Sequence, residues 1–121
     1  MISRLDARAD AQSLQRDMDT LTRLERTIAS RRMADPSSSY VAQLTARGRP
    51  VMARKLGEEA VETTVAALVG DDTEVIGESA DLLFHLMVLL ADRDIAFADV
   101  LAELDRREGL SGLEEKASRS N

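Results

Sequence analysis

Five acids and one histidine are the residues of this chain best placed to do chemistry. The stretch KLGEEAVETTVAAL, Lys55 to Leu68, gathers Glu58, Glu59 and Glu62 and then runs without a charge from Thr63 to Leu68. Successive residues of a helix turn by about 100°. Relative to Lys55, Glu58 then lies at about −60°, Glu59 at about +40° and Glu62 at about −20°. The four side chains share one stripe. Leu56, Ala60, Val61, Val65, Ala67 and Leu68 occupy the rest of the circumference. A helix apolar on most sides is expected to be buried on most sides. The stretch ESADLLFH repeats the arrangement, with Glu78, Asp81 and His85 on one face at i, i+3 and i+7. Between Asp81 and Asp92 the only ionisable side chain is His85.

Clustered carboxylates repel one another, and burying them unpaired is costly. Either several take up protons or cations compensate. Lys55 and Arg54 are too few to do so. A hard divalent ion held by carboxylate oxygens answers the problem. Mg²⁺ suits a site that keeps positions for water and a substrate phosphate. Taken singly, E-E-x-x-E and E-x-x-D occur on solvated helices; together, on successive apolar helices, they point to a metal site. His85 reads either as a hydrogen-bonded core histidine or as a residue holding Asp81 one turn earlier. Gly57 and Gly77 each precede an acidic cluster, which is either coincidence or a means of close helix approach.

The elements that must position these residues are helical throughout. Leu14, Met18, Leu21, Leu24 and Ile28 form one apolar stripe on a helix of about residues 12–33. ADPSSSY ends it, because the residue before Pro36 leaves the helical region. Ser38 or Ser39 caps a short helix from Tyr40 to about Arg47. RGRP breaks the chain again, with Pro50 in the first turn of the next helix, which runs to about Val69 and stops at Gly70. Asp71 with Glu74 resembles a capping box and opens a helix to about Ala91. IAFADVLAELDRREG is a last amphipathic helix. The tail LSGLEEKASRSN is polar and without a clear period. The expectation is an all-α antiparallel bundle of four to five helices, with residues 1–18 a weakly structured extension and 19–121 the domain.

Composition narrows the partners. The chain has 121 residues, which suits one domain with a modest core. Lys+Arg 16 against Asp+Glu 22 leave a net charge of −6, which does not suit nucleic-acid backbones. Tyr40, Phe84 and Phe97 are the only aromatic residues, too few for base stacking to supply much affinity. There is no cysteine, so disulfides and thiolate metal sites are excluded. The start MISRLDARADAQ is not a secretory signal, and the longest apolar run, Leu82 to Ala91, is too short to span a bilayer. A soluble cytoplasmic protein is expected, without membrane or nucleic-acid partners.

GEEAVET followed by ESADLLFHLMVLLADR resembles the E-E-x-x-E … E-x-x-D signature of the MazG-like all-α nucleoside triphosphate pyrophosphatases. ADPSSSYVAQL, ARGRPVMARKLGEEAVET, GESADLLFHLMVLLADRDIAFADVLAEL and GLSGLEEKASR are similar to the phosphoribosyl-ATP pyrophosphatase family of histidine biosynthesis. The resemblance covers about Leu21 to Arg119. It implies hydrolysis of N1-(5-phosphoribosyl)-ATP between the α- and β-phosphates, giving phosphoribosyl-AMP and pyrophosphate, the second step of that pathway. It also implies Mg²⁺ and an intertwined homodimer whose sites draw on both subunits. The stand-alone form is expected, since the fused cyclohydrolase of some relatives would need extra length and cysteine ligands. Glu58, Glu59, Glu62, Glu78 and Asp81 match the motif carboxylates.

Phosphoanhydride hydrolysis needs charge neutralisation and an aligned water. The expected metal ligands are Glu59, Glu62, Glu78 and Asp81. Glu58 is expected to orient or deprotonate the water, and it and Glu59 can exchange roles. Lys55 reads as a phosphate contact or as an i,i+4 partner of Glu59. Arg47, Arg49 and Arg54 flank RGRP and read as phosphate contacts or as solvated surface. Tyr40 reads as a base or ribose contact, or as a buried aromatic beside the cap. Lys116 and Arg119 sit in a tail whose sequence suits a substrate or a partner subunit, with disorder as the alternative. Two rivals stand beside this: a pyrophosphatase of free (d)NTPs in the same superfamily, and a non-catalytic helical dimerisation module.

Overall fold

A computed structural model describes residues 11–108 and 112–119. Those residues form six helices and no strand. They are α1 (Ala11–Arg31), α2 (Tyr40–Arg47), α3 (Arg49–Val69), α4 (Asp72–Asp92), α5 (Phe97–Arg107) and α6 (Gly112–Arg119). The all-α expectation holds. The one helix beyond those expected is α6, in the tail where no period was legible. No helix among the described residues is long and apolar enough to cross a membrane. The expected weak extension, 1–18, divides: residues 1–10 lie outside the described residues, while α1 begins at Ala11.

The breaks follow local chemistry. After α1, the Asp35 carboxylate accepts from the Ser37 amide at 2.9 Å and the Asp35 carbonyl accepts from the Ser38 amide at 2.9 Å, closing a turn. The N-cap of α2 is Ser39, whose buried hydroxyl accepts from the Ala42 amide at 3.2 Å. One residue, Gly48, both ends α2 and opens α3. Its φ of 97° lies where a side chain is strained, so glycine is what lets two helices meet with no loop. Pro50 follows in the first turn of α3. Asp71 caps α4 by accepting from the Glu74 amide at 2.9 Å. Helix α5 lacks a capping side chain of its own; Glu25 of α1 accepts from the Phe97 amide at 2.8 Å instead.

The two-residue link at Gly70–Asp71 folds α3 back on α4, and this hairpin is the most extensive helix pairing in the chain. Helix α1 packs on α4, and α2 on α3. The core sits at one end of the hairpin: Ile28 from α1, Val41 and Leu44 from α2, Met52 from α3, and Met87 and Val88 from α4. There Asp92 ties the ends together, pairing with Arg49 at 2.6 Å and with Arg32 at 3.5 Å. The opposite end has no such cover. Val61, Val65, Leu68, Val69 and Ile76 are exposed, Val69 by 82%. Helix α3 was expected to be buried on most sides; within one chain only its Met52 and Ala66 are buried. Helix α1 packs on α4, and the residue that α3 gives to the shared core is Met52, in its first turn. Gly57 and Gly77 do not serve helix approach, since a Cβ at either meets no atom within 4 Å.

Leu44 is 1% exposed and touches the core shared by all the packed helices. Leu44→Ala should lower the free energy of unfolding by about 2–5 kcal/mol in a urea titration.

Candidate metal centre

The acidic site forms where the α3–α4 hairpin leaves the core. Residues 59 and 62 fall one turn apart on α3, and 78 and 81 one turn apart on α4. The antiparallel return brings the two pairs face to face. Carboxylate oxygens of Glu59, Glu78 and Asp81 lie within 4.8 Å of one another. Glu62 adjoins them, close enough to act on the carboxyls of both Glu59 and Glu78. Glu59 and Glu78 are half-buried, while Glu62 and Asp81 are exposed on the open side.

This crowding has an electrostatic consequence. Burial raises the Glu59 carboxyl above the ordinary carboxylate range, and the charge and hydrogen bond of Glu62 add to it. Burial also raises Glu78, followed by the hydrogen bond and charge of Glu62 and then the charges of Glu59 and Asp81. One oxygen of each residue, Oε2, is buried without a hydrogen-bond partner. Such groups are rare because an unmade hydrogen bond to a buried charge is expensive. A divalent ion about 2.0–2.6 Å from several oxygens would supply the missing partner, and ligands that share an ion must lie as close as these do. Oxygen-only donors of this kind suit a hard cation. The residues present therefore fit a metal ion, with Glu59, Glu78 and Asp81 as the converging donors and Glu62 beside them.

The remaining expected residues divide into groups. Glu58 is not among the converging donors. It pairs with Lys55 at 3.5 Å and with Arg54 at 3.6 Å. Lys55 thus meets Glu58 one turn on, rather than Glu59. His85 is buried, and its Nδ1 lies 2.9 Å from the carbonyl oxygen of Asp81. A carbonyl only accepts, so Nδ1 carries a proton and His85 holds the main chain of Asp81 rather than its carboxylate. Tyr40 Oη lies 3.0 Å from His85 Nε2, and the ring stacks on Phe84 with centroids 6.1 Å apart. Tyr40 is 46% exposed, so it is not the buried aromatic that one reading allowed. Arg49 is occupied by Asp92 at the far end of the hairpin. Arg47 is exposed in the last turn of α2, and Lys116 and Arg119 are exposed in the last turn of α6.

Sequence reasoning missed Thr63. Its hydroxyl lies 2.8 Å from the carbonyl oxygen of Glu59 and 3.1 Å from that of Glu78. The signal was present: Thr63 falls at about +80° from Lys55 on the helical wheel, at the edge of the acid stripe.

A family model described as phosphoribosyl-ATP pyrophosphohydrolase matches residues 21–108. Three similar curated proteins carry the name phosphoribosyl-ATP pyrophosphatase. The one from Erythrobacter litoralis is 65% identical over 86% of this chain and 100% of its own length. That from Rhizorhabdus wittichii is 70% identical over 83% of this chain and 94% of its own. That from Novosphingobium aromaticivorans is 63% identical over 85% and 96%. The matched segment contains α2 to α5 and every acid of the cluster. The chain belongs to the phosphoribosyl-ATP pyrophosphohydrolase family.

Proposed function

We propose that this chain hydrolyses N1-(5-phosphoribosyl)-ATP between its α- and β-phosphates, releasing phosphoribosyl-AMP and pyrophosphate. The reaction depends on Mg²⁺ and is the second step of histidine biosynthesis, in the cytoplasm. The observation that carries this reading is the pair of buried, unpartnered oxygens of Glu59 and Glu78 beside Asp81, in a chain whose relatives bear that enzyme name.

Glu59, Glu62, Glu78 and Asp81 would hold the cation. When bound, Mg²⁺ would supply charge neutralisation and polarise the phosphoryl oxygens. Glu58 lies outside the converging set, which leaves it to orient the attacking water or take its proton. Its ion-pair partners Lys55 and Arg54 are the cations nearest to hand for substrate phosphates, and their transfer to a phosphate releases the Glu58 carboxylate. Arg47, Lys116 and Arg119 serve the same polyanion from the surrounding helices. Tyr40 presents its exposed ring edge toward the base or ribose while its hydroxyl stays on His85, which in turn fixes the main chain of Asp81.

The working unit is a homodimer. The uncovered row on α3 and α4 asks for an apolar partner. A groove of about 260 Å³, lined by Val61, Glu62, Val65, Val69, Glu74 and Glu78, runs from that row to the acids. A second copy covering the row therefore stands next to the metal centre. Val65→Asp with Leu68→Asp should convert a dimer to a monomer in sedimentation-velocity runs; an unchanged dimer places the interface elsewhere.

Pyrophosphate release from phosphoribosyl-ATP and from a panel of NTPs tests the reaction, with preference for phosphoribosyl-ATP expected. Glu62→Gln and Asp81→Asn should each lower that release by at least roughly 100-fold at saturating Mg²⁺ without altering helix content. Near-normal turnover in either variant contradicts the ligand assignment.

The raised carboxyls also fix a pH dependence. Glu59 and Glu78 bind protons more tightly in the folded chain than in the unfolded one. The contribution of these two groups to stability is then greatest below the ordinary carboxylate range and is lost as pH rises through the raised folded values. In chelator the melting temperature should fall across that window, and Glu78→Gln should remove part of the fall. Mg²⁺ at about 100 times its Kd should return about 2.7 kcal/mol, because it binds only the folded chain.

A further inference from the structure

We infer that Thr63 is a positioning residue of the metal centre: its hydroxyl clasps α3 to α4 at the two glutamates that supply the buried ligand oxygens. The inference rests on the metal reading above and deepens it. Thr63 is half-buried between the helices. Its single hydroxyl proton is shared between the carbonyl oxygens of Glu59, at 2.8 Å, and Glu78, at 3.1 Å. Back-bonding from a helical threonine to the carbonyl four residues earlier is ordinary. Thr64 does so toward Ala60 at 2.9 Å and Thr45 toward Val41 at 2.8 Å. Thr63 alone among these three reaches a second carbonyl on another helix. That carbonyl belongs to Glu78, and the first to Glu59, the same two residues whose Oε2 atoms are buried without partners.

The physical effect follows from what repels. Carboxylates of α3 and α4 face each other and push the helices apart before a cation arrives. A glutamate reaches its ligand position through three side-chain torsions, so its main-chain anchor decides how far those torsions must stretch. A polar bridge between the two anchors holds that separation. His85 treats the third donor likewise, through the carbonyl of Asp81 at 2.9 Å. All three converging donors are thus held from behind by a side chain that grips the peptide carbonyl. Groups that orient ligands in this way typically contribute about 10–100-fold to metal affinity.

Thr63→Val keeps the shape and removes the donor. Binding of Mn²⁺ alone, read from the paramagnetic resonance signal of free Mn²⁺, should weaken about 10-fold in this variant. Thr63→Ser should restore it, and Thr64→Val, which loses only a solvent-side back-bond, should leave it unchanged. In turnover, Thr63→Val should raise the Mg²⁺ concentration needed for half-maximal rate while kcat at saturating Mg²⁺ recovers. Should Thr63→Val not fold, Thr63→Ala against Thr63→Ser isolates the same hydroxyl. Parent and Thr63→Val chains that bind Mn²⁺ equally overturn the inference and leave the metal reading intact. A parent chain that binds no Mn²⁺ overturns both.

Discussion

The structure turns on an unfavourable arrangement: two glutamate oxygens, on Glu59 and Glu78, buried face to face with no partner. Among the described residues, neither of these oxygens has a hydrogen-bond partner. Lys55 and Arg54, the basic side chains that precede the acid stripe on the same helix, are engaged by Glu58. The remaining neighbours, Glu62 and Asp81, add charge of the same sign. A fold tolerates such a set when the rest of it is firm enough to resist the repulsion, and when something outside the chain offsets the cost.

The firmness has identifiable sources. The hairpin is closed at one end by the core and by Asp92 with Arg49 and Arg32. Gly48 lets α2 and α3 abut without a loop, so Tyr40 at the start of α2 arrives beside His85. From there the grip passes to the carbonyl of Asp81, and Thr63 grips those of Glu59 and Glu78. The other end of the hairpin is built differently. Its apolar row is left open by its own chain, and a groove joins that row to the acids. One end of the hairpin therefore fixes the ligands, and the other offers a surface that a second subunit can complete.

Much of this was legible beforehand, for physical reasons. The helix boundaries were readable because Pro36, Ser39, Pro50, Gly70 and Asp71 are local signals whose effects do not depend on distant contacts. The acid stripe was readable because helical angles alone put Glu58, Glu59 and Glu62 together and Glu78 with Asp81. Angles of this kind did not separate Glu58 from Glu59. Separation came from packing, which turned Glu59 inward and left Glu58 to Lys55 and Arg54. Thr63 and the capping of α5 by Glu25 were illegible in another sense: each depends on a carbonyl or amide brought in from another helix. The tail helix α6 was missed because Gly112–Arg119 is short and mostly polar, with Leu113 and Ala117 its only apolar residues. The open face of α3 misled the reading in an instructive way. Its composition reports how much cover the helix requires, and the described residues of one chain do not supply that cover.

The claim that the acids form one cation site is tested most directly by anomalous diffraction from crystals grown with Mn²⁺. The account predicts a peak within coordination distance of Glu59, Glu78 and Asp81, with Glu62 at its edge and Glu58 outside it. A peak at Glu58 and its neighbours instead, or well-ordered cluster carboxylates with no peak between them at saturating Mn²⁺, contradicts it.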